Sequence, residues 1–314
     1  MPTLKATEFA FPRMEAPDLD TMEEFLTHFG MLRAERTPDA LYMRGADTHH
    51  LHVTHKGGTK FIGFAYHAAD EDDLKRAAKL PGASGVETLD EPGGGRRVRL
   101  TEPNGYQIEL IAGVERRLPP IKIARDPANT VSEPLRRAGR LMRLTKSPTL
   151  VQRIGHGVLA TPKVKETTAW FRDTLGMIRS DDVYAGDEEN IIGSFSRLDR
   201  GATYVDHHVM FCVHNVRSGF NHVSYEVQDI DAVFQDHDYL KSLGKYELMW
   251  GVGRHMLGSQ VFDYWADPWG RMHERWADTD RLNAANGGNL LSAEHLQSQW
   301  GERPPERFLG HVSP

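Results

Sequence analysis

The chain has 314 residues, 39% of them hydrophobic and 26% charged, with a formal net charge of −6. This is the composition of a soluble globular protein of about two domains, and its mild acidity argues against nucleic acid as a partner. No apolar run reaches the ~18 residues of a membrane span. Met1 to Pro17 does not read as a secretory leader, and Cys212 is the only cysteine, so a cytoplasmic protein without intramolecular disulfides is expected. Any metal must be held by histidine and carboxylate, because one cysteine cannot build a thiolate site.

Four segments share one rhythm: a short apolar strand, a helix, then two or three strands. The first runs from Lys5 to about Gly57. The second opens at Lys60-Phe-Ile-Gly-Phe-Ala-Tyr-His67, turns at Asp70-Glu-Asp-Asp73 and enters a helix carrying Leu74, Ala77 and Ala78. A linker, Glu115 to Gln152, follows. It is rich in Arg, Lys and Pro, and a helix is predicted over about 134–145. The third segment opens at Arg153-Ile-Gly-His-Gly-Val-Leu-Ala160 and continues into a helix with Trp170, Phe171 and Leu175. The fourth opens at Gly219-Phe-Asn-His-Val-Ser-Tyr-Glu-Val227, turns at Asp229-Ile-Asp231 and enters a helix with Val233, Phe234 and Leu240. Apolar residues three and four apart support the helices and alternation supports the strands. The tail after Arg281 lacks strong periodicity and is expected to lie over the domain as a flap.

The repeat is strongest at the segment ends. Glu102-Pro-Asn-Gly-Tyr-Gln-Ile-Glu109 and Asp267-Pro-Trp-Gly-Arg-Met-His-Glu274 both read acid, Pro, any residue, Gly, then Glu four residues on. Pro and Gly make a tight turn that starts a strand, which fixes where the Glu falls. The fold expected is α+β, with two domains of two βαβββ modules each, forming open cup-like mixed barrels. Residues 1–114 form the first domain, 115–150 the basic linker, 151–280 the second domain and 281–314 the tail.

The floor of such a cup collects side chains from the first and last strands of its modules. In the C-terminal half these positions hold His156, His222 and Glu274. In the N-terminal half they hold about Ala10, Gly63 and Glu109. Two imidazoles and a carboxylate on one face of a metal leave the other face open, which suits non-haem Fe(II) enzymes that bind substrate and O2 together. The same donors accept Mn, Zn or Ni. Alone, each residue reads more simply as a core histidine or a salt-bridged carboxylate; their coincidence at matching positions makes the site. Nearby, Val205-Asp-His-His-Val-Met-Phe211 reads as an alternating strand, so only one of His207 and His208 can face the cup. Tyr264, ten residues before Glu274, and His255, nine before Tyr264, would add acid/base groups and hydrogen-bond donors. The His-rich stretch Thr48 to His55 reads as an ordinary strand in which His50 and His52 share a face.

Residues 150–280 resemble the type I extradiol dioxygenases of the vicinal-oxygen-chelate superfamily, which include catechol 2,3-dioxygenases and dihydroxybiphenyl dioxygenases. The run from Gly253 to Glu274 is similar to the family pattern for a His outside the ligand set, an active-site Tyr and the Glu ligand. Phe220-Asn-His-Val223 and Gly155-His-Gly157 resemble the strands of the two His ligands. The resemblance implies Fe(II), with Mn(II) as alternative, on His156, His222 and Glu274, and O2 as co-substrate. His255 and Tyr264 would hydrogen-bond the substrate. His207, fifteen residues before His222, is favoured over His208 as the acid/base group. It implies meta cleavage of a substituted catechol to a muconic semialdehyde-type product in aromatic catabolism, by a homo-oligomer. Three rivals share the fold: a glyoxalase- or isomerase-like metalloenzyme, a hydroxyphenylpyruvate-type ketoacid-dependent dioxygenase, and a non-enzymatic small-molecule-binding protein of the bleomycin-resistance kind.

Overall fold

The structure, a computed structural model, describes residues 4–313. The first module comprises strand Glu8–Ala16, helix Leu19–His28 and strands Leu32–Arg36, Ala40–Arg44 and His50–Lys56. The second comprises strand Lys60–His67, helix Glu71–Ala77 and strands Glu87–Thr88, Arg96–Thr101 and Gln107–Ala112. The third has strand Arg153–Thr161, helix Val164–Leu175 and strands Ile178–Tyr184, Ile191–Arg197 and Met210–His214, with the short strand Val205–Asp206 before the last. The fourth has strand Gly219–Glu226, helix Ile230–Leu243 and strands Leu248–His255, Val261–Ala266 and Met272–Ala277. Three helices start where a side chain satisfies free amides: Asp18, Asp70 and Asp229 each accept from backbone N–H groups of the first turn. Such a cap is worth about 1 kcal/mol.

Each half builds one sheet, eight-stranded at the N-terminal side and ten-stranded at the C-terminal side. In both, the first strands of the two modules pair antiparallel at the centre, and the last strand of each module flanks them in parallel. Both sheets end in edge strands, so they are mixed and open rather than closed barrels. One apolar core runs between the halves, with Phe61 against Phe220 and Tyr66 against Phe171. His52 adds a polar tie, its Nδ1 lying 2.7 Å from the Tyr225 hydroxyl. No helix is long and apolar enough to cross a membrane.

Three local expectations change. The linker helix over about 134–145 does not form. Residues 134–139 make only turns, Gly139 has φ +74°, and Leu135 and Leu141 are more than 70% exposed, so no apolar face holds a helix in place. In the His-rich strand the pairing skips at Leu51, which puts His50 and His52 on opposite faces. His50 meets Phe11 and Tyr42 inside the N-terminal half, while His52 faces the other half. The tail is more ordered than expected. Strand Asn289–Ser292 extends one edge of the C-terminal sheet, strand Ser298–Gly301 pairs with Leu248–His255, and helix Glu306–Leu309 sets Phe308 on Trp250 and Tyr264.

Candidate metal centre

Three central strands aim their donors at one point. His156 stands on Arg153–Thr161, and its backbone N–H donates to Ser224 Oγ at 3.0 Å. His222 stands on the adjacent Gly219–Glu226. Glu274 stands on Met272–Ala277 directly beside Ser224. The Glu274 carboxylate is fully buried, with Oε2 3.0 Å from His156 Nε2 and 3.4 Å from His222 Nε2. The donor atoms of the three residues all lie within 4.8 Å of one another, and they are the one group of this kind among the described residues.

These contacts are not ordinary hydrogen bonds. Neither Glu274 oxygen has a partner with hydrogen-bond alignment. Buried polar atoms left unmatched this way call for an ion. Burial alone would raise the Glu274 carboxyl, but His156, His222 and His255 outweigh it and hold it well below the usual carboxylate range. Burial lowers His156 below the ordinary imidazole value. A charged carboxylate and a neutral imidazole are the forms that bind a divalent metal. His222 is oriented from behind: its Nδ1 lies 2.7 Å from Asn221 Oδ1, and Asn221 in turn donates to the His311 carbonyl at 3.0 Å. Such outer partners fix ring orientation and tautomer.

The hairpin between Val261–Ala266 and Met272–Ala277 sets Tyr264 directly opposite Glu274. His255 Nε2 lies 2.8 Å from the Tyr264 hydroxyl and 3.6 Å from Glu274 Oε1. Burial and the neighbouring Glu274 charge push the Tyr264 phenol well above its usual value, so it stays protonated as a donor.

The adjacent histidines fall the other way from expectation. Val205–Asp206 ends before them and Met210–His214 begins after them, so residues 207–209 do not alternate as a strand, and both rings are buried. His208 lies on the metal cup, its ring centroid 4.0 Å from that of His156, and it lines the cavity there. His207 turns away and places Nε2 2.7 Å from Asp181 Oδ2. Spacing to His222 cannot separate neighbours; the irregular backbone decides.

The cup opens into a cavity of about 140 Å³. Its apolar lining includes Phe195, Phe211, Val213 and Leu257, and the tail adds Leu296 and Phe308; among the described residues no lysine or arginine lines it. Sequence reasoning preferred His207 to His208 and did not single out Asn221 or these tail residues. The Asn beside a ligand was a readable signal, whereas the tail carried none.

No family model matches the chain. It is 30% identical to metapyrocatechase 2 of Cupriavidus necator over 303 residues, 94% of this chain and 89% of that one. It is 24% identical to the manganese-dependent 2,3-dihydroxybiphenyl 1,2-dioxygenase of Geobacillus genomosp. 3, over 92% and 88% of the two chains. Among solved structures, homoprotocatechuate 2,3-dioxygenase of Brevibacterium fuscum in an anaerobic substrate complex superposes with TM-score 0.79 at 16% identity, over 99% of this chain and 94% of that one. A Mn(II)-bound glyoxalase of Novosphingobium aromaticivorans gives 0.78 at 22%, over 97% and 94%, so the fold by itself does not separate the two chemistries. The full-length relationship to metapyrocatechase 2 does: this chain belongs to the type I extradiol ring-cleaving dioxygenases.

Proposed function

We propose that this enzyme cleaves catechols bearing an uncharged, apolar substituent, with Fe(II), or Mn(II) in its place, held by His156, His222 and Glu274. The observation that carries the metal assignment is the convergence of three buried donor residues on one point, with both Glu274 oxygens lacking a hydrogen-bond partner. When bound, the metal supplies Lewis acidity to the vicinal hydroxyls and a path for electrons between ring and O2.

The protein's own groups divide the remaining work. His255 and Tyr264 sit on the Glu274 side and hydrogen-bond the substrate oxygens. His208, from the opposite wall, holds and returns a proton at Nε2 as both atoms of O2 enter the ring and a muconic semialdehyde-type acid forms. Phe195, Phe211, Leu296 and Phe308 enclose the ring substituent and exclude water. With no lysine or arginine in that lining among the described residues, a carboxylate on the substituent would be desolvated among mainly apolar side chains with no fixed cation beside it.

Two measurements test this. His208→Ala should keep the metal and lose turnover about 10²–10⁴-fold, the usual weight of a general acid/base, while His207→Ala should lose much less; equal losses, or an active His208→Ala, would remove the assignment. An alkyl- or aryl-catechol should exceed a carboxylated catechol at least ~10-fold in kcat/KM, the scale of apolar-pocket discrimination. The reverse preference would sink the substrate reading.

A further inference from the structure

Behind His208 lies a chain of buried polar groups that the ring-cleavage scheme leaves unused. His207 Nδ1 and His208 Nδ1 are 3.1 Å apart, and His207 Nε2 is 2.7 Å from Asp181 Oδ2. The other Asp181 oxygen accepts from Asn289 Nδ2 at 2.7 Å. Asp181, His207 and His208 are each 4% exposed or less. Asp181 stands on Ile178–Tyr184, and Asn289 pairs with it in register on the tail strand. Burial raises the Asp181 carboxyl, but the hydrogen bonds from His207 and Asn289 outweigh it and hold the group below its ordinary value. Asp181 is therefore a carboxylate, which can only accept.

That settles the hydrogens along the chain. Facing a carboxylate, His207 Nε2 carries its ring proton. The 3.1 Å contact between the two Nδ1 atoms has room for one proton; with the single His207 proton held at Nε2 by Asp181, His207 Nδ1 accepts and His208 Nδ1 donates. With its Nδ1–H facing His207, the neutral His208 ring has no second N–H. Its Nε2 is left as a bare acceptor. We propose that Asp181 and His207 are positioning residues that set the ring orientation and tautomer of His208, presenting its unprotonated Nε2 to the substrate, and that Asn289 of the tail strand completes this clamp. The inference rests on the reading that His208 acts on the substrate. It also ties tail order to chemistry, because the strand that carries Asn289 leads directly into Leu296 at the cavity.

Asp181→Asn is the decisive variant. It keeps the shape but adds an N–H that can donate to His207 Nε2. His207 would then carry its proton on Nδ1 and donate to His208, leaving the N–H of His208 on Nε2, the wrong tautomer. The metal-loaded Asp181→Asn and His207→Gln enzymes should keep full metal content and a KM within about twofold, and lose kcat at least tenfold. Asn289→Ala should give a smaller loss of the same kind. A second readout does not depend on turnover: nitrogen-15 NMR of histidine-labelled protein loaded with diamagnetic Zn(II) should show His208 protonated at Nδ1 in the parent and at Nε2 in Asp181→Asn. Unchanged kcat, a change in KM alone, or an unchanged tautomer would overturn the inference while a dead His208→Ala left the catalytic reading standing. A fully active His208→Ala would remove that reading and this inference with it.

Discussion

The two halves share one topology and solve one problem in opposite ways. In each, a buried Glu sits on the last strand of the second module beside a central strand: Glu109 opposite Ala65, and Glu274 opposite Ser224. In the C-terminal cup the carboxylate faces two imidazoles and its oxygens stay unmatched. In the N-terminal cup the pairing of Ala65 with Phe11 puts a phenyl ring where His156 stands, one residue beyond the approximate match to Ala10. Two residues on, Arg13 supplies the cation. Its guanidinium grips Glu109 at 2.5 and 3.0 Å and meets Glu91 at 2.7 Å. Burial works against that charge, but the two glutamates outweigh it and hold Arg13 above its ordinary value. One cup thus closes on an internal ion, and the other leaves the place for an external one. A carboxylate in this fold position needs a cation; which cation decides between scaffold and catalyst.

The pair of matched substitutions to glutamine puts that contrast to work. Glu274→Gln should lose the metal and lower turnover by more than the roughly 10–100-fold that follows loss of an outer-shell partner, with the fold intact. Glu109→Gln should do the reverse: full metal, near-normal kcat, and a stability loss of about 3 kcal/mol in denaturant unfolding, because Arg13 loses a buried charge partner. A Glu109→Gln enzyme that lost metal or activity with stability unchanged would break the comparison.

The N-terminal cup should also resist conversion. Adding histidines by Phe11→His and Gly63→His, with Arg13→Ala to clear the cation, should not yield a second metal equivalent by metal analysis. A Cβ at Gly63 would lie 1.7 Å from the Gln107 carbonyl oxygen, so no side chain fits there without moving the strand. Two metals per chain in the triple variant would show that sequence, and not backbone, keeps this cup empty of ligands.

How much of this was legible depended on how regular the backbone is at each residue. His156, His222 and Glu274 lie inside continuous strands, and although the pairing of the two His strands slips beside both histidines, the Pro-x-Gly turn before Glu274 set its register, so counting residues placed them near one another. Tyr264 followed from the same hairpin. His207 and His208 lie between strands, where two-residue alternation has no force, and it is His208 rather than His207 that lines the cup. His50 and His52 were misplaced for a related reason, the skipped residue at Leu51. The tail was unreadable because it has no core of its own: its strands are held by sheet edges already built, and its apolar residues are scattered singly over the cavity mouth.

Acid should act on the N-terminal half through two further histidines, alongside lowered histidines of the C-terminal half such as His311. Beside Arg116 and Arg153, between the two sheets, lies a second cavity of about 170 Å³ lined by His49 and His67 of the N-terminal half. Burial, the largest cause for both, pushes each imidazole down to about 4 from 6.5. A lowered histidine is neutral in the folded state while its unfolded counterpart takes up a proton below pH 6.5, so the unfolded state binds more protons between about pH 6.5 and 4. Stability must therefore fall as pH drops through that window and level off below it. At 1.36 kcal/mol per pKa unit the pair should cost on the order of 2–4 kcal/mol between pH 7 and pH 5. Denaturant midpoints across that range should shallow their slope in a His49→Asn, His67→Gln double variant. An unchanged slope would mean that these rings are solvated and that the N-terminal half is not held together by neutral burial. The test stays separate from the metal site, because neither histidine lies in the C-terminal cup.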